Sequence, residues 1–153
     1  MKLKTSAAML LVAGLCAPVA NAEPVAPGDV KIEDGTIAMS LTGNGGNAEA
    51  GAKTMVDRSL GNCLACHAVT ALNKELFHGD VGPSLDGVGS RWNEAELRAI
   101  IVNSKAIFSD ETVMPGFYSL EVGLNPRKDL AGKTILTAEQ VEDVVAYLAT
   151  LKE

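Results

Sequence analysis

Cys63-Leu64-Ala65-Cys66-His67 is the stretch that decides how this chain folds. C-x-x-C-H is the pattern of a c-type haem attachment site. Residues three apart lie on one face of a helical turn. From that face each thiol can form a thioether to one haem vinyl group. His67 follows at once, placed to offer an imidazole nitrogen to the iron. Two other chemistries use paired cysteines. A structural zinc site normally needs four Cys or His ligands. Past the N-terminal leader, the chain offers only Cys63, Cys66, His67 and His78, outside the usual zinc spacing. A thioredoxin-type dithiol sits between a strand and a helix, whereas the residues before Cys63 read as helix.

The iron would need a second axial ligand. The candidates are Met39, Met55, Met114 and His78. Met114 is favoured because it lies in the turn-forming run Val113-Met114-Pro115-Gly116, well downstream of the haem motif. The intervening chain can circle the haem and present sulfur from the other side. Pro115 restricts the backbone of Met114 as the residue before it. Met55 falls on a helical stripe, where a methionine is more often core. His78 reads as an exposed loop histidine, and Met39 belongs to an N-terminal arm. His67/Met114 ligation would raise the potential and leave no open position for a substrate, which points to electron transfer. No catalytic residue is expected. Within Gly82-Pro83-Ser84-Leu85 a carbonyl, at or near Pro83, is expected to accept the His67 Nδ1–H. Arg91 is expected either to meet the haem propionates or to be a surface arginine beside a core Trp92.

Outward from the site, the N-terminus reads as a secretory signal peptide. Lys2 and Lys4 precede an apolar run over 7–17, and Ala20-Asn21-Ala22 is an A-x-A cleavage site. The mature protein is expected to begin at Glu23 in the periplasm. Cys16 lies in the discarded part. The chain of 153 residues has a formal charge of −6, and the only charged residues lost with the leader are Lys2 and Lys4. Such an acidic balance argues against nucleic acid and anionic membrane surfaces as partners. Residues 23–46 read as an extended arm with one short strand near Ile37 to Leu41. That arm is either a strap for a partner or a loose terminus.

Residues 47–153 are expected to form one mainly α domain around the haem. A first helix over 47–62 starts at the N-cap Asn47, with Ala48, Ala52, Met55, Val56 and Leu60 on its apolar stripe. Residues 69–89 read as loop. Asn93-Glu94-Ala95-Glu96 and Thr137-Ala138-Glu139-Gln140 are capping-box patterns. They start helices to about Ser104 and to the C-terminus. In the last helix Val141, Val144, Val145, Leu148 and Leu151 recur at helical spacing.

The haem motif, Gly82-Pro83-x-Leu85-x-Gly87, Met114-Pro115 and the C-terminal amphipathic helix together resemble a class I cytochrome c. The runs 40–43, 58–67, 114–118, 132–137 and 141–148 are similar to those of the SoxX family. This resemblance implies a monohaem electron-transfer subunit with one covalent haem c. The partner it implies is a SoxA-type cytochrome, in a heterodimer that acts as an L-cysteine S-thiosulfotransferase. In that reaction thiosulfate is coupled oxidatively to a cysteine of the carrier SoxYZ. The catalytic site would lie on the partner, and a soluble cytochrome c would take the electrons. The alternative is a freestanding class I shuttle between respiratory complexes. A third class, a haem-based sensor or peroxidase, would need an open distal site. One departure is Ser59, where small cytochromes c often carry an aromatic residue. It leaves the packing of first and last helices to Met55, Leu60 and Tyr147.

Overall fold

The computed structural model describes residues 23–121, 123 and 125–153. The expected signal peptide, with Cys16, lies outside these residues. Among the described residues four helices make up the regular structure: α1 (Ala48–Val56), α2 (Val88–Arg91), α3 (Glu94–Ile107) and α4 (Ala138–Thr150). Short 3-10 turns occur at Pro27–Asp29, Cys63–Ala65 and Thr70–Leu72. α4 is the hub. It packs chiefly on α1, and α3 and α2 also lean on it. Among the described residues no helix is long and apolar enough to cross a membrane.

α1 starts where expected. The Asn47 side chain accepts from the Ala50 N–H at 3.0 Å, satisfying one of the free donors at the helix start. The helix stops earlier than its apolar stripe suggested, because Asp57 takes an extended conformation. The Asp57 carboxylate then bonds the Ser59 N–H at 2.8 Å and the Ser59 hydroxyl at 2.6 Å, building a turn that feeds the haem motif. The buried face of α1 is Gly51, Thr54 and Met55.

The Ser59 departure does not loosen the first and last helices. The crossing rests on glycine instead of an aromatic ring. A Cβ on Gly51 would run into the Asp143 carbonyl of α4, and one on Gly46 into the Glu142 carbonyl. The two backbones therefore approach more closely than any side chain allows. Gly51→Ala gains helix propensity of about 1 kcal/mol but forces the helices apart. Overpacking of this kind costs about 1–3 kcal/mol, and here the obstacle is backbone, which cannot rotate away. A net loss of stability is expected in urea unfolding of the holo-protein. A midpoint unchanged or raised would show that α1 shifts freely on α4.

Both capping boxes form as expected. Asn93 accepts from the Ala95 and Glu96 N–H groups, and Glu96 bonds back to the Asn93 N–H at 2.8 Å. Thr137 and Gln140 do the same for α4. The stripe Val141, Val144, Val145, Leu148 and Leu151 is buried throughout. α3 runs three residues beyond Ser104, but Asn103 is not helical (φ −152°, ψ 85°). Asn103 adopts extended geometry and its side chain accepts from the Ala106 N–H at 3.4 Å, as an N-cap does. α3 is thus a helix with a second short turn capped at Asn103.

Residues 23–46 are mostly extended apart from the Pro27–Asp29 turn and a tight turn at Asp34-Gly35, and their only paired segment among the described residues is the isolated bridge of Glu33 with Thr36. The expected strand at Ile37 to Leu41 does not form. The arm instead packs on its own domain, with Ile37 and Leu41 buried in the core. The Ile37 N–H bonds the Ala95 carbonyl at 3.0 Å and the Val25 N–H bonds the Leu41 carbonyl at 2.8 Å. Tyr118 donates its hydroxyl to the Val25 carbonyl at 2.7 Å. Beneath the arm lies a buried pair that the sequence reading did not include. Arg98 holds Glu142 through Nε at 2.8 Å and Nη2 at 2.9 Å.

Candidate haem site

The haem motif folds as a single 3-10 turn, not a longer helix. Asn62 enters it in the left-handed region (φ 48°). The Cys66 and His67 N–H groups both bond the Cys63 carbonyl, at 3.1 and 3.0 Å. No disulfide joins the two cysteines; Cys63 is half-buried and Cys66 exposed. Burial of its sulfur pushes the Cys63 thiol up to about 12. Among the described residues no three His, Cys, Asp or Glu side chains converge as a metal-binding group.

The chain after the motif returns alongside it. Gly79 N–H bonds the Leu64 carbonyl at 2.8 Å, Gly82 N–H the Cys66 carbonyl at 2.8 Å, and Leu85 N–H the Ala68 carbonyl at 2.9 Å. This return brings the Pro83 carbonyl to 2.7 Å from His67 Nδ1. Pro83 is thus the acceptor expected from the sequence. With the proton held on Nδ1, the Nε2 lone pair is free to bind a metal. Gly82 lies flat against the imidazole: any Cβ there would strike the ring. Glycine at this position lets the ring stand in one orientation.

The returning loop is stapled by Asp86. Its carboxylate accepts from the Thr70 N–H at 2.8 Å, the Thr70 hydroxyl at 2.7 Å and the Ser84 hydroxyl at 3.1 Å. The Thr70 hydroxyl is the main reason its pKa lies below the ordinary 3.8. A depressed carboxylate stabilises the fold above its unfolded pKa, and that contribution is lost as pH falls through the lower folded value. The staple should therefore begin to weaken below about pH 3.9 and let go of the Thr70 amide only as pH falls through the lower folded value. Hydrogen exchange at that amide tests this: Asp86→Ala, which has no side-chain acceptor, should be poorly protected already at neutral pH. Equal protection in both proteins would remove the staple.

Arg91 does something the sequence reading did not weigh. Its Nη1 donates to the Asp86 carbonyl at 2.7 Å and its Nη2 to the Ser84 carbonyl at 3.1 Å. It clamps the loop that carries Pro83, while also lining the cleft described below. Trp92 is partly exposed and not a core residue. His78 is half-buried rather than exposed. Its Nδ1 accepts from the Val69 N–H and its Nε2 donates to the Leu72 carbonyl, each at 3.2 Å. With both ring nitrogens engaged, it ties its own loop. Met39 is exposed and does not reach the cleft. Met55 is fully buried core and touches the cleft wall.

Cys63, Cys66, His67, Pro83, Arg91 and Met114 all line one cleft of about 960 Å³. The rest of its wall is mostly apolar, including Leu97, Ile101, Val144 and Leu148. Two thiols, an imidazole with a free Nε2 and a thioether thus share one apolar chamber. This is the donor set of a covalently held haem, and the chamber fits that group. Arg58 and Arg127 also line the cleft, although nothing in their sequence spacing signalled it. Ser104 is a further missed residue: fully buried, it bonds the Met114 carbonyl at 2.6 Å.

Residues 48–152 match the family model described as Cytochrome c. The chain belongs to the cytochrome c family. Its cofactor is therefore haem c, held covalently. This cytochrome is also similar to a chain in the crystal structure of SoxXA from P. pantotrophus. The identity is 44%, covering 85% of this chain and 99% of that one, with a TM-score of 0.78. The match supports the SoxX resemblance read from the sequence. No curated protein matches at a significant level.

Proposed function

We propose that this cytochrome is the monohaem electron-transfer subunit of a SoxXA-type complex. In this reading Cys63 and Cys66 would carry the thioethers, and His67 Nε2 and the Met114 sulfur would hold the iron. The observation that carries it is the convergence of these four side chains on one apolar cleft. Haem c supplies a one-electron ferric/ferrous couple when bound. The Pro83 carbonyl fixes the His67 tautomer, and Gly82 leaves room for its ring. A Met114 thioether bound to the iron would favour the ferrous state. The apolar wall excludes water and so disfavours the extra charge of the ferric state. Two protein ligands leave no place for a substrate, so this chain would carry electrons and leave bond chemistry to its partner.

Residues 1–22 would be a signal peptide removed after Ala22 on export to the periplasm. Residues 23–46 would be the arm and 47–153 the haem domain. The partner would be a SoxA-type cytochrome, and the complex an L-cysteine S-thiosulfotransferase acting on the SoxYZ carrier. A soluble cytochrome c would accept the electrons. Affinity capture of the holo-protein from periplasm of thiosulfate-grown cells tests this. A stoichiometric second c-type cytochrome is expected, with reduction of this haem dependent on thiosulfate and carrier. A lone protein reduced by a respiratory complex would make it a freestanding shuttle instead.

A further inference from the structure

The Met114 segment is tied to the end of α3 at several points. Asn103 leaves the helix, so the carbonyls just before it are turned to other donors. The Ile101 carbonyl accepts from the Phe117 N–H at 3.0 Å, and the Val102 carbonyl from the Tyr118 N–H at 3.2 Å. A Cβ on Gly116 would come to 3.0 Å from that same Val102 carbonyl, so the two chains touch. On the other side of Met114, Lys105 Nζ donates to the Asp110 and Thr112 carbonyls at 2.9 and 2.6 Å. Between these anchors the backbone has few donors of its own, because Pro115 has no N–H. The Ser104 hydroxyl fills that gap. It donates to the Met114 carbonyl at 2.6 Å and leans toward the Pro115 carbonyl at 3.3 Å. Among the described residues this is the only hydrogen bond made to the Met114 backbone.

Ser104 is itself fully buried, so water does not compete for its hydroxyl. A bond from a buried donor to a carbonyl that would otherwise go unpaired is worth more than an exposed one. It acts on the carbonyl beside the α-carbon that carries the Met114 side chain, which lines the cleft.

We propose that Ser104 is the positioning residue for the Met114 ligand: its hydroxyl sets how firmly the sulfur is presented to the iron. The inference rests on Met114 being the distal ligand. Without the hydroxyl, Met114 is held only through its neighbours, and its sulfur competes less well with an added ligand.

The test is titration of the ferric holo-protein with imidazole, followed by loss of the sulfur-to-iron charge-transfer absorption. Ser104→Ala should give up the sulfur at about tenfold lower imidazole, the effect of losing one buried hydrogen bond. Ser104→Thr retains a hydroxyl and should titrate close to the parent. Met114→Ala is run beside them to separate the two claims. If Met114→Ala keeps the charge-transfer band, the ligand reading fails whatever Ser104 does. If it loses the band while Ser104→Ala titrates like the parent, the ligand reading stands and the Ser104 inference is overturned. Equal loosening in Ser104→Ala and Ser104→Thr would assign the effect to packing, and would also overturn it.

Discussion

Glu142→Ala is expected to destabilise the holo-protein by about 3–5 kcal/mol, the usual result of removing one partner from a buried ion pair. Glu142 is 3% exposed and Arg98 6%, so the abandoned guanidinium would remain charged in a place with little water. The pair also reaches into the arm. Arg98 Nη1 donates to the Ile37 carbonyl at 2.9 Å, and Glu142 Oε1 accepts from the Leu41 N–H at 2.9 Å. One carboxylate thus joins α3, α4 and residues 37–41. Urea unfolding should show the loss, and limited proteolysis should show the arm cut early. The apolar double replacement Arg98→Met with Glu142→Leu separates two explanations. For an isolated pair such a swap is often neutral or better. Here it also strips the Ile37 carbonyl and the Leu41 N–H of partners, each worth about 1–3 kcal/mol when buried. The double variant should therefore stay destabilised. If it were as stable as the parent, the pair would not anchor the arm. A loss below about 1 kcal/mol in Glu142→Ala would place the pair among ordinary surface bridges.

Met114→Ala is expected to have the largest effect on the redox site. With His67 and Met114 as the proposed ligands, removing the thioether would leave the iron with His67 as its one strong protein ligand. The potential should fall by tenths of a volt, given that axial ligands move haem potentials over about 0.8 V. Carbon monoxide should bind the ferrous variant readily and the parent poorly. None of the other candidates can take over without rebuilding. Both nitrogens of His78 are engaged, Met55 is locked in the core and Met39 lies outside the cleft. A variant with unchanged spectrum and potential would move the ligand elsewhere in the chain.

Features that depend on neighbours in the chain were legible from residue types alone. The capping boxes at Asn93 and Thr137, and the buried stripe of α4, need only short-range spacing. The Pro83 carbonyl was expected from the Gly82-Pro83 turn, but it lies 16 positions beyond His67 and reaches it because backbone bonds from Gly79, Gly82 and Leu85 return the chain along the motif. Arg98 and Glu142 were harder. Each sits among apolar residues on its helix, which is the one available hint, but their pairing spans distant parts of the chain. Gly51 left a signal too. A glycine inside a helix costs about 1 kcal/mol relative to alanine, so its presence asks for a close neighbour. Ser104 left none, since a serine near a helix end is ordinary. The strand expected at Ile37 to Leu41 failed because alternating side chains need a second strand to pair with. α3 and α4 offer side chains and caps instead.

By itself the sequence determined the chemistry: two thiols and an imidazole in five residues, a thioether before a proline, and helices that begin at their caps. These follow from covalent spacing and local hydrogen bonds, which any chain with these residues carries. Only the tertiary structure decided that the arm is part of the domain and that α1 crosses α4 on glycine. It also decided that Met114 hangs from the Ser104 hydroxyl. Each of these depends on groups brought together across the chain by burial. A buried polar atom takes whichever partner the packing puts within reach, and that choice is written in space, not in sequence neighbours.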